Sequence, residues 1–344
     1  MLSPLLFLHP ISSSEQISVG GQAVIEGVMM RSPKVVATAV RRPAGDITVR
    51  KRPFVSISKR KRFLGVPVLR GAIILIETLS LGLSALTYSA EEALNEERVK
   101  ADGRDSEKGE KNEKGEKNET SEKNEKKERV KERESGKKSA KKKGKPSGAV
   151  TTASLIATII VSLGIAFLLF FYLPLFVAER VGVESGFWFN VLDGAVRLAV
   201  FLLYICLVGL WGEMKKLYQY HGAEHKSIHT FEAGEELTVD NAMKHTTLHA
   251  RCGTSFLLMV VVISLLVFIA LGKPETWGER GIRFLFVPLI AGIAFEFTRL
   301  SGKHAKSAWA GVLIRPGLWL QKITTREPTR DQVEVALRAL REVL

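Results

Sequence analysis

Apolar positions along this chain gather into runs too long for an ordinary soluble core. Between Pro146 and Ala178, 33 consecutive residues carry no charge, well beyond the roughly 20 that a helix needs to cross a bilayer. Runs at 152–177, 190–211, 253–271 and 283–300 predict four spans. A fifth apolar stretch, 63–90, is different. Arg70, Glu77, Ser80, Ser84, Thr87 and Glu91 recur there at steps of three, four and seven, which aligns them on one helix face. With basic flanks on both sides, this stripe predicts a helix lying in the interface or packed against other spans.

Shorter periods mark the remaining elements. Residues 34–42 and 46–54 are β-rich and are joined by Pro43-Ala44-Gly45-Asp46, a hairpin signal. After Pro328, Thr329 and Gln332 have capping-box spacing, and Val333, Leu337, Leu340 and Leu344 make one apolar face, so an amphipathic helix closes the chain. The fold class expected is mainly α: a polytopic helical membrane protein with a small N-terminal β-containing cytoplasmic module. The expected segments are a tail at 1–14, the basic β-containing module at 15–62, the helix at 63–90 and a charged insert at 91–149. A four-span domain with a cytoplasmic hairpin at 212–252 then occupies 150–300, and an interfacial segment with the amphipathic helix occupies 301–344.

Charge sharpens the picture. The insert from Glu91 to Ala149 holds 19 Lys/Arg and 16 Asp/Glu with too little apolar surface to offset the entropy of ordering, so 95–148 is expected to be a flexible linker. Its basic end, Lys141 to Lys145, has a lipid or partner tether as the rival reading. The net charge of +14 on a membrane protein points to the lipid surface and not to nucleic acid. Lys/Arg number one in 178–190, five in 212–252, three in 272–283 and nine from Arg299 onward, which places both termini, the insert and the 212–252 loop in the cytoplasm. Trp188, Trp277, Trp309 and Trp319 fall near the span edges. The opening MLSPLLFLHP lacks the basic region of a signal peptide and is read as a tail or a misassigned start. Two cysteines, Cys206 and Cys252, give no disulfide framework.

Candidate chemistry concentrates in the 212–252 loop. His221, His225, His229, His245 and His249 fall within 29 residues. His221-Gly222-Ala223-Glu224-His225 fits H-x-x-E-H, in which imidazoles one helical turn apart grip one ion and the adjacent carboxylate acts on water. His245 and His249 repeat the spacing on what reads as the return arm of a helical hairpin turning at Gly234-Glu235-Glu236, so His221 is expected opposite His249 and His225 opposite His245. His229 and Glu232 continue the first arm's face. His304 is a further candidate at the same membrane side. Glu296, an acid inside the apolar stretch VPLIAGIAFEF, is expected either as a third ligand or in an ion pair with Arg299. Cys252 reads as a buried packing residue before it reads as a soft ligand. The glycine-rich Gly20 to Arg31 lacks a phosphate-loop signature and reads as tight turns around a β element, with Glu26 reaching the histidines as the sharper alternative.

The blocks GGQAVIEGVMMRSP (20–33), PVLRG (67–71), YHGAEHKSIHTFEAGEELTVDNAMKH (220–245), RCGTSF (251–256), AGIAFEF (291–297) and PGLWLQKITTREP (316–328) resemble the YqhQ family of bacterial membrane proteins, a domain of unknown function for which metal-dependent catalysis has been suggested. The resemblance implies a bacterial inner-membrane location, and the family's presumed site falls on His221, Glu224 and His225. The long Lys/Glu insert departs from the family's shorter connection. The leading expectation is a metal-dependent hydrolase facing the cytoplasm. In it, His221 and His225 bind a divalent metal, zinc before manganese or iron, and His245, His249 or Glu296 completes the shell. Glu224 is the general base, and the substrate is a lipid or membrane protein. A non-enzymatic membrane scaffold or assembly factor and a membrane di-iron oxidoreductase are the rival classes, and the oligomeric state is open.

Overall fold

The computed structural model describes residues 17, 19–57, 65–113, 152–304 and 307–344, with side chains for all but 94–113, 152–156, 303 and 308–310. The expected tail at 1–14 and most of the insert lie outside the described residues. Two compact units are present, one made of Met1–Glu97 with Tyr172–Leu344 and the other of Arg98–Phe171.

In the first unit, β1 (Gly20–Val24), β2 (Gly27–Arg31), β3 (Val35–Arg41) and β4 (Ile47–Pro53) form an antiparallel meander in chain order. The β3–β4 hairpin is the one its turn residues predict, with Gly45 at φ 94°. The β1–β2 hairpin turns on Ile25-Glu26, and Glu26 adopts φ 49°. A side chain at Gly27 would collide with the Ala39 carbonyl, so glycine is what lets β2 lie this close to β3.

Helix α1 (Leu69–Glu113) explains the polar stripe. Buried Glu77 accepts hydrogen bonds from the Ser56 hydroxyl at 2.8 Å and from the Ile57 amide. The Ser84 carbonyl accepts from Arg50 at 2.7 Å, and Tyr88 bonds Thr48 at 3.1 Å. The stripe therefore receives the sheet and the segment that follows β4. Where a flexible linker is expected from residue 95, α1 continues to Glu113. Glu, Lys, Arg and Ala are strong helix formers and need no buried face to extend a helix already begun.

Further along come α2 (Thr152–Phe167), a π-helical turn (Leu168–Tyr172), α3 (Leu173–Val181), α4 (Gly186–Val208), α5 (Gly212–Glu232) and α6 (Val239–Lys244). After these, α7 (Gly253–Leu271), α8 (Trp277–Leu285), α9 (Val287–Lys303), α10 (Ala308–Thr324) and α11 (Arg330–Arg341) complete the chain. Among the described residues, five segments are long and apolar enough to cross a membrane: Leu69–Ala93, Ala157–Val181, Gly186–Val208, Gly253–Leu271 and Trp277–Gly302. The first is one more than the four expected. Exposed Leu79, Leu83, Ile160, Leu163, Leu203, Leu207 and Leu266 line these segments, an apolar surface that suits lipid rather than water.

Apart from these apolar helices, the sheet, α5 and α11 share one core. Val28, Met30, Ala37 and Ala39 pack with Tyr220, Ala223 and Ile228 and with Val333, Ala336, Leu337 and Leu340. Thr329 and Gln332 form the expected capping box. Because α11 ends at Arg341, Val343 rather than Leu344 is the last residue buried in this core, and Leu344 is exposed.

Candidate metal centre

Helix α5 carries His221, His225, His229 and Glu232 at steps of four, four and three, which keeps them on one face. Two neighbouring segments are brought against that face. The chain crosses α5 at Gly222, where any side chain would strike the Arg326 carbonyl, and the Arg326 amide donates to the Tyr218 carbonyl at 2.9 Å. This sets the Thr324 carbonyl 2.9 Å from His221 Nδ1.

The second segment corrects the expected helical return arm. Helix α6 stops at Lys244, and His245 begins an irregular, non-helical segment of bends and a turn leading to Cys252. In a helix the Thr247 and Leu248 carbonyls would be spent internally; outside one, they accept from His225 Nδ1 at 2.5 Å and His229 Nε2 at 2.8 Å. The pairing is consequently one helical turn out from the expected one. His249 meets His225 and His229, with ring centroids at 5.6 and 4.7 Å, while His245 stacks by His229 at 6.0 Å and bonds Glu235 at 3.1 Å.

Donor atoms converge in two groups, His221/His225/Cys252 and His229/Glu232/His249, each with its atoms within 4.8 Å of one another. A carbonyl only accepts, so each ring nitrogen facing one carries the proton, and the opposite nitrogen presents a lone pair. His221 Nε2 then faces Cys252 Sγ at 3.2 Å, and His225 Nε2 is buried with no hydrogen-bond partner. An unpaired buried acceptor is costly, and backbone carbonyls behind ligand imidazoles are the usual outer support of a metal site. Two imidazoles and a thiol fit a zinc-class ion on both counts.

Burial sets the electrostatics. It pushes His225 well below the ordinary imidazole value, helped by His221, and brings His249 down to about 4. Both rings are neutral near pH 7 and able to act as ligands. Fully buried Glu224 is pushed up to about 7 by desolvation, with His221 and the Gly21 amide pulling the other way. Cys252, at the N-terminus of α7, is raised to about 11 by burial and by the nearby Glu224.

Of the other candidates, Glu296 joins neither group. It takes a two-pronged ion pair from Arg70, Nε at 2.7 Å and Nη2 at 2.5 Å, with Arg299 at 3.9 Å. Ionisable groups inside apolar helices need such partners, and Arg70 on α1 supplies the nearer one. Glu26 pairs with Lys216 at 2.8 Å and Tyr220 at 3.3 Å instead of the histidines, and His304 is exposed. Cys252, read first as packing, stands among the donors. Its position three residues after His249 was the available signal.

The fold and site together define a mainly helical protein with five membrane-length apolar helices, a small antiparallel sheet and a histidine-rich polar face. The chain belongs to the YqhQ family: the model of the family "Protein of unknown function (DUF1385)" matches residues 66–344. It is 31% identical over 338 residues to "Uncharacterized protein YqhQ" of Bacillus subtilis (strain 168), covering 94% of this chain and 92% of that protein. No solved structure matches it.

Proposed function

We propose that this chain is a multi-pass protein of the bacterial cytoplasmic membrane, with both termini in the cytoplasm, acting as a metal-dependent hydrolase at its cytoplasmic face. The observation that carries the reading is the bare, buried Nε2 of His225, flanked by His221 Nε2 and Cys252 Sγ. His221, His225 and Cys252 would hold one divalent ion, zinc by preference for the thiolate, with manganese or iron as lesser choices. Three protein donors rather than four is the number found where an ion acts on substrate. Such an ion supplies Lewis acidity toward an ester, amide or phosphoester oxygen.

Glu224 supplies the proton chemistry. Its carboxyl lies one residue from His225, is held by the Gly21 amide, and titrates near 7, where a group takes up and returns a proton with least penalty. The site adjoins α7, whose membrane-length run starts at Gly253, so a lipid or membrane-protein substrate is the class we favour. The experiment is Glu224→Gln: metal content should persist while hydrolysis in a screen of lipid-like esters and phosphoesters disappears. A variant as active as wild type overturns the role of Glu224.

One observation favours a second reading. His225, Glu224 and Cys252 are 1%, 6% and 6% exposed, which equally suits an ion that braces a membrane scaffold or assembly factor. In that case Glu224→Gln leaves cellular function intact, while changes on the exposed surface of 233–246 abolish it.

A further inference from the structure

We infer that His229, Glu232 and His249 form a second divalent-cation site beside the first, with Arg251 standing in for the cation on Glu232 when none is bound. This deepens the proposed hydrolase reading and rests on it for the use of the second ion, though the donor atoms are entirely different.

Three observations carry it. First, the three donor atoms lie within 4.8 Å of one another, and His229 is oriented by the Leu248 carbonyl on Nε2, leaving Nδ1 with its lone pair. Second, His249 is held by unusual means. Fully buried Gln321 accepts from the His249 amide at 2.8 Å and donates to the His249 carbonyl at 2.9 Å. A core amide spending both ends on one residue fixes that residue's position. Third, Glu232 is surrounded by donors: Arg251 forms a direct ion pair with it, and His249 Nε2 lies 3.4 Å away.

Arg251 is half-exposed, so its guanidinium can swing into solvent without a burial cost. Cation entry then exchanges the Arg251 charge for the ion on Glu232. The His249 ring proton moves from Nε2 to Nδ1, and the 3.3 Å contact from the Arg251 amide to Nδ1 is given up. Protein protons and charge balance without an oxidant or reductant. Two imidazoles and one carboxylate are a harder set than the thiol-containing group, so this site accepts manganese or iron as well as zinc. The His225 and His249 rings, one from each donor group, have their centroids 5.6 Å apart, so the two sites are neighbours on one face of α5.

The test is elemental analysis of the full-length, detergent-purified chain after loading with zinc alone or manganese alone and desalting. Wild type is expected to hold two zinc ions per chain, His229→Ala and Glu232→Gln one, and Cys252→Ser one. Arg251→Gln is expected to hold two and to fill the second site at lower manganese concentration. Glu232 and Arg251 are both partly exposed, and matching elution by size-exclusion chromatography checks that their variants fold. One zinc in wild type, unchanged by His229→Ala and Glu232→Gln but lost in Cys252→Ser, overturns the second site and leaves the proposed function standing. No zinc in any protein overturns both.

Discussion

At the residue scale, the site depends on atoms with no choice of partner. Gly21 lies where an added Cβ would sit 2.8 Å from the Met29 carbonyl and 2.9 Å from Glu224 Cγ and Cδ. Gly21→Ala should therefore lower stability by about 1–3 kcal/mol, measured by thermal unfolding in detergent. Gly20→Ala, with open space around it, should stay within about 0.5 kcal/mol. The Cys252 thiol, pushed up to about 11, can join an ion only by releasing its proton. His225 and His249 are already neutral, so zinc affinity should rise about tenfold per pH unit between roughly pH 7.5 and 9. Competition with a zinc chelator would measure the slope, and Cys252→Ser should both weaken binding and flatten it. Glu296 belongs with Arg70, so Glu296→Gln should leave metal content unchanged in elemental analysis; loss of the ion would return Glu296 to the site.

Among elements, what the sequence made legible depended on whether a pattern was local. The 34–54 hairpin, the capping box at Thr329 and the H-x-x-E-H turn of α5 are encoded within a few residues, and the structure contains all three. The return arm differs from the helix expected because His245 and His249 keep helical spacing on a backbone that is not helical. Bonds made from distant elements fix that conformation: His225 and His229 on the Thr247 and Leu248 carbonyls, Lys226 on the His245 carbonyl, and Gln321 on His249. The polar stripe on α1 was visible, yet its partner was not, since Ser56, Arg50 and Thr48 meet it only in the folded chain. The role of α11 follows from its buried face. Leu337→Ala, removing a core side chain between sheet and α5, should cost about 2–5 kcal/mol, whereas Leu344→Ala, beyond the helix, should cost little. Thermal unfolding of the two variants compares them directly.

At the scale of the whole molecule, the sheet, α5 and α11 form one body around a shared core. Four of the five membrane-length apolar helices of the described residues were expected from hydropathy alone. The exception, Leu69–Ala93, carries the polar groups that the sheet requires, and those same groups made its crossing ambiguous. Under the proposed orientation, the Lys/Arg concentrated before α2, in 212–252 and after Arg299 would put this body on the cytoplasmic side. Elemental analysis of the purified full-length chain beside His221→Ala/His225→Ala tests the central claim most directly. The account expects bound divalent metal in wild type and loss of the ion at the His221/His225/Cys252 group in the double variant. Wild-type protein without metal after zinc loading, or a double variant with undiminished content, would contradict it.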